Sequence, residues 1–206
     1  MSRPKIAVLL LVMAASTLAL VSLSPTPVAA QGPGASKAAP SYTKDGALEL
    51  PADYRTWVYL SSGLGMSYSA NAQANPNPTF TNVFVKPEAY QAFLKSGTWP
   101  DKTMFMLEER ASGSNIGPNK AGHYQTDLEG LVTLVKDEKR FSEKWKFFSF
   151  ESKDGKPVGP GAAVKTNACF QCHEKNGAVD HTFVQFYPTL KAVAIAKGAY
   201  KEPPKE

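Results

Sequence analysis

The sequence predicts an α+β domain, mainly antiparallel β-sheet with a few helices and a helical C-terminus. Three observations carry that reading. Five short segments are rich in aromatic and β-branched residues, the side chains that pack well on a pleated surface. Clusters of Gly, Pro, Asn and Asp separate them, as turns between strands require. Only one internal segment combines helical periodicity with caps at both ends. A chain of 206 residues suffices for one ordinary domain with a real core. With 43% hydrophobic and 20% charged residues it is not a disordered chain.

In chain order, the first segment is not part of the expected fold. Residues 1–30 read as a secretory signal peptide: two cations in "MSRPK", an apolar run from Ile6 to Leu23, and small residues before a cleavage point after Ala30. The run is also about long enough to span a bilayer, so a retained anchor is the competing reading. Cleavage would take Arg3 and Lys5 from a formal net charge of +5, leaving a mildly basic remainder. Without a dense Lys/Arg block, nucleic-acid binding has no support. Residues 31–47, small and rich in Gly and Pro, read as a flexible lead-in, and the folded domain as residues 48–200.

Within that domain, Arg55–Leu60, Thr79–Val85, Thr103–Glu109, Leu131–Lys136 and Lys144–Phe150 are the expected strands. Pro87–Gly97 is the expected helix: proline in the first turn, Glu88 beside it, Tyr90, Phe93 and Leu94 on one face, glycine at the end. The stretches around 166–175 and 181–197 read as two further helices, and between them they carry the one chemically loaded motif.

That motif is Cys169-Phe170-Gln171-Cys172-His173, which holds both cysteines of the chain. Export makes a cysteine pair a disulfide candidate, but a bridge across two residues closes a tiny loop and stabilises little. A thioredoxin-type dithiol belongs near a βαβ pattern, early in a domain. Zinc needs about four ligands, and there is no second Cys/His pair at a useful spacing. Covalent attachment of one haem c remains. Two thiols one helical turn apart add to the two vinyl groups, and His173 follows as the iron's proximal ligand. Haem c is attached outside the bacterial cytoplasm, so the export signal and the motif support each other, and a periplasmic location is expected.

The opposite side of the iron has no obvious protein ligand. No methionine follows His173. Met104 and Met106 alternate with Phe105 and Leu107 and read as core. His181 is too close in sequence to reach the opposite haem face, and reads as a helix start. His123 reads as a solvated loop residue. A five-coordinate iron with one open side is therefore expected, suited to small gases or to chemistry more than to plain electron transfer.

Four blocks now point to a family. "DYRTWV" (Asp53–Val58), "VFVKPEAYQAFLKSGTWPDKT" (Val83–Thr103), "GLVTLVKDEKRF" (Gly130–Phe141) and "CFQCHEKNGAVDHTFVQFYPTL" (Cys169–Leu190) together resemble the cytochrome P-460 family. The resemblance implies a small periplasmic haem c protein, mainly β and homodimeric. It also implies one of two activities. Cytochrome P-460 itself oxidises hydroxylamine and carries a second covalent link from its haem to a lysine. The related cytochrome c′-beta branch lacks the link and binds nitric oxide and carbon monoxide under an apolar cap. By the resemblance, the cross-linking lysine falls on Leu107, with Glu108 after it. The pocket arginine falls on Thr81 and the pocket glutamate on Val132. Phe105 shares a strand face with Leu107 by alternation and is a candidate for the cap, with ordinary core packing as the other reading of both. Lys86, Lys95 and Lys102 are the alternative cross-link donors. Gas binding is thus the first reading, hydroxylamine oxidation the second, and electron transfer with a partner cytochrome the third; whether the chain is an enzyme stays open.

Overall fold

The computed structural model describes residues 39–68, 75–154, 156–165 and 167–204. The expected signal peptide and the first part of the lead-in lie outside the described residues. The expectation of an α+β fold holds: one six-stranded sheet, antiparallel throughout, in the simple order β1-β2-β3-β4-β5-β6. Its strands are β1 (Val58–Leu64), β2 (Phe80–Val85), β3 (Met104–Gly113), β4 (Tyr124–Lys136), β5 (Trp145–Lys153) and β6 (Lys156–Ala163). Three α-helices accompany them: α1 (Pro87–Ser96), α2 (Ala168–Asn176) and α3 (Pro188–Ala196).

The pleat sends alternate residues to opposite faces, and this sequence makes both faces apolar. On one face Val85, Phe105, Leu134, Trp145 and Phe147 pack against Phe93 of α1 and Leu190 and Ala194 of α3. On the other, Met104, Met106, Leu131 and Phe148 pack with Leu48, Tyr54 and Trp57. Met104 and Met106 are thus core residues on the side away from Phe105, as alternation required. The end of the lead-in is tied to this second face: Tyr42 bridges to Leu48 and its ring packs against Phe141 and Phe148.

Helix α1 matches its sequence signature. Pro87 opens it, and Gly97, at φ 77°, ends it in the left-handed conformation with its N–H bonded to Phe93 O. Other elements depart from expectation for physical reasons. Residues 54–56 form a 3₁₀ turn, so β1 starts at Val58 and not at Arg55. β4 begins at Tyr124, seven residues before the apolar segment, because β3 and β4 continue as a paired polar ribbon past the core. β6 contains Pro157, Gly159, Pro160 and Gly161 and carries no strand signal. It forms because it is an edge strand, where missing N–H groups are tolerated. The helix expected over 181–197 is instead a tight turn at Asp180–His181, a 3₁₀ turn (Val184–Phe186) and α3. His181 is therefore a turn residue and not a helix start.

Candidate functional site

Helix α2 carries the motif. Cys169, Cys172 and His173 lie within one turn of one another, so both thiols and the imidazole share one side of the helix. Both cysteines are free and partly exposed. Cys169 packs against the buried cluster on the helix-covered face of the sheet, and Cys172 lines an open groove.

His173 is held from three directions. Phe147 of β5 meets its ring edge-on at 4.9 Å between centroids, and Phe183 lies at 4.2 Å on a tilted plane. Its Nδ1 is 2.8 Å from the carbonyl oxygen of His181. A carbonyl only accepts, so Nδ1 carries the proton and donates; in the neutral ring Nε2 is then the bare nitrogen. Burial pushes the imidazole below its ordinary range, although the hydrogen bond to His181 opposes this. Neutral, oriented and with one nitrogen free, His173 has the form that a metal ligand requires.

A cavity of about 90 Å³ opens in front of this ring. Three neighbouring strands build its far wall through cross-strand register: Val83 of β2 opposite Leu107 of β3, and Leu107 opposite Val132 of β4. Phe105, Leu134 and Phe147 continue the wall, and Thr182 and Tyr187 supply its polar atoms. Thr182 is already committed: its Oγ1 donates to Val179 O at 2.6 Å and accepts from Trp99 Nε1 at 2.8 Å. Burial holds the Tyr187 phenol far above its ordinary range, so it stays protonated. No carboxylate and no lysine belongs to the wall among the described residues. Glu108, next to Leu107, points to the opposite sheet face. There Tyr54, Arg55, Asn82 and Arg110 all donate to its carboxylate.

The expected site residues Leu107, Phe105, Val132 and His173 are thus brought together around one space. Thr81 is not: it stands two residues along β2 from Val83, opposite Gly63 of β1, and lies outside the wall. Val83, Leu134, Phe147 and Tyr187 were not foreseen. The first two are the register partners of Leu107 and Phe105, so only strand pairing could have found them. Among the alternative lysines, Lys86 lies over the Trp57 ring, Lys102 pairs with Asp137, and Lys95 is on the exposed side of α1. His123 is exposed in the loop before β4.

A larger groove, about 420 Å³, adjoins the motif on its other side and is lined by Cys172, Tyr68, Phe183, Phe186 and Met66 among others. Cys172 borders this groove and His173 borders the cavity, so the motif straddles the two spaces. The family model for cytochrome P-460 matches residues 51–184, a span that runs from before β1 through the motif and the turn behind it. The chain belongs to the cytochrome P-460 family. This is a haem-binding family, and the donor set of two free thiols and a neutral imidazole fits such a group. No curated protein matches the chain. Among the described residues no helix is long and apolar enough to cross a membrane.

Proposed function

We propose that this chain is an exported mono-haem c protein that binds small uncharged gases. Cys169 and Cys172 would hold the haem through thioethers, and His173 would be its only protein ligand. When bound, the haem would supply an iron able to take nitric oxide or carbon monoxide.

One observation carries the reading: the wall that faces His173 is Val83, Phe105, Leu107, Val132 and Leu134. An apolar wall excludes water and admits an uncharged diatomic. Hydroxylamine oxidation must also release protons, and the natural acceptor is a pocket carboxylate. Here the nearest carboxylate in sequence, Glu108, is turned to the other side of the sheet and held there by four donors. Leu107, at the position that matches the family's cross-linking lysine, has no nucleophile to offer. Family membership keeps hydroxylamine oxidation as the second reading.

The test uses one preparation of reduced and oxidised holoprotein. Nitric oxide and carbon monoxide should each give a saturable change in the visible spectrum of the reduced form. Hydroxylamine with an artificial electron acceptor should give negligible turnover. Robust turnover, or a peptide in which haem is linked to a lysine, would replace the first reading by the second.

A further inference from the structure

The hydrogen bond from His173 ends on a residue in an unfavourable conformation. Asp180 and His181 have φ 45° and 61°, and Val179 and Thr182 exchange hydrogen bonds on either side of them. This is a two-residue turn with both central residues left-handed, a geometry that favours Asn-Gly. Neither residue here is glycine. Such conformations persist where the surroundings over-determine them, and they concentrate at functional sites.

The surroundings are specific. Lys136, at the end of β4, is buried: Nζ donates to Asp180 Oδ2 at 2.6 Å and to Trp99 O at 2.9 Å, and it forms an ion pair with Glu138 Oε1 at 3.3 Å. Trp145 Nε1 reaches the other Asp180 oxygen at 3.4 Å. On the helix side, Gly177 lets the turn approach α2. A Cβ there would sit 2.6 Å from His173 O, 2.7 Å from His181 C and 2.8 Å from Thr182 N. The sheet therefore grips the turn through Asp180, and the turn presents the His181 carbonyl to His173 Nδ1.

We propose that Lys136 and Asp180 are positioning residues for the proximal histidine. They fix the place of the His181 carbonyl, and through it the orientation and donor strength of the imidazole. The partner of a ligand's second nitrogen sets that ligand's basicity, and hydrogen bonding beyond the first shell is one of the protein's levers on a haem iron. This inference rests on the proposed haem site but concerns a different observable.

The experiment compares wild type, Asp180→Gly and Lys136→Met as holoproteins. Asp180→Gly removes the carboxylate while relieving the positive φ, so it separates the clamp from the strain. Covalent haem is read by mass, and the iron–histidine stretching band by resonance Raman of the reduced form. Both variants should carry haem. In both, the band should move to lower frequency, with a rise in midpoint potential, while Lys136→Arg leaves the band in place. Leu190→Ala, a packing change elsewhere on the same face, should lower stability without moving the band. An unchanged band in Asp180→Gly overturns the inference even if Lys136→Met yields no holoprotein. A wild type that carries no haem overturns the proposed function, and this inference with it.

Discussion

At the scale of the residue, Leu107 concentrates the functional argument. It sits between Val83 and Val132 on three adjacent strands, and its chemistry sets that of the cavity. Leu107→Lys would place an amine against that apolar wall. Burial disfavours the ammonium, so the amine should titrate well below its ordinary value of about 10.4. The unfolded chain would then bind a proton that the folded chain does not. The variant should lose about 2 kcal/mol or more near neutral pH. The deficit should shrink as pH rises towards 10, because the unfolded amine also loses its proton there. Urea midpoints of wild type and variant at pH 7 and pH 9.5 check both statements; an equal deficit at the two values would mean that the amine escapes to solvent. Much of this site was legible from residues. The Cys-x-x-Cys-His spacing fixes three members, and alternation puts Phe105 with Leu107. Thr81 shows the limit. Correspondence of motifs cannot say where a side chain stands relative to a cavity whose walls come from three strands.

At the scale of the element, β3 shows why alternation was informative and β6 why it was not. In β3 every second residue changes face, so Phe105 and Leu107 look to the helices while Met104, Met106 and Glu108 look away. β6 is specified by pairing to β5 along an edge, and pairing is not written in propensity. The turn at Asp180–His181 was illegible for a related reason: nothing local favours it, and its anchors, Lys136 and Trp145, come from β4 and β5. Helix α3 gives a direct packing test. Leu190 is fully buried against the sheet, and truncation to alanine leaves a cavity. Leu190→Ala should cost about 3 kcal/mol, seen as a lower urea midpoint with an unchanged slope. A cost under about 1 kcal/mol would mean that α3 adapts and does not lock the face that carries His173.

At the scale of the whole molecule, the six-stranded sheet separates two kinds of interior. On the side that carries the cavity, the wall is apolar, and the buried charge Lys136 lies at the end of β4 against Asp180. Among the buried charges of the opposite face is Glu108, 1% exposed, within a shell of donors. Burial raises its pKa, but the hydrogen bonds from Arg110, Tyr54 and Asn82 and the charge of Arg110 outweigh this, and the net shift is downward. A carboxyl lowered in the folded state adds stability above its unfolded value of about 4.3, and that stability is lost as pH falls through the folded value. Glu108→Gln should therefore be less stable than wild type by about 1–3 kcal/mol at pH 7, and the two curves should converge below pH 4. Parallel curves over that range would show that the carboxylate is not held by its partners. The central claim, however, is the haem. The measurement that meets it most directly is the intact mass of the full chain after thiol alkylation, from a host able to attach haem c. The account predicts a single species heavier by one haem, with Cys169 and Cys172 both refractory to alkylation. A chain without added mass and with two alkylated cysteines would contradict it.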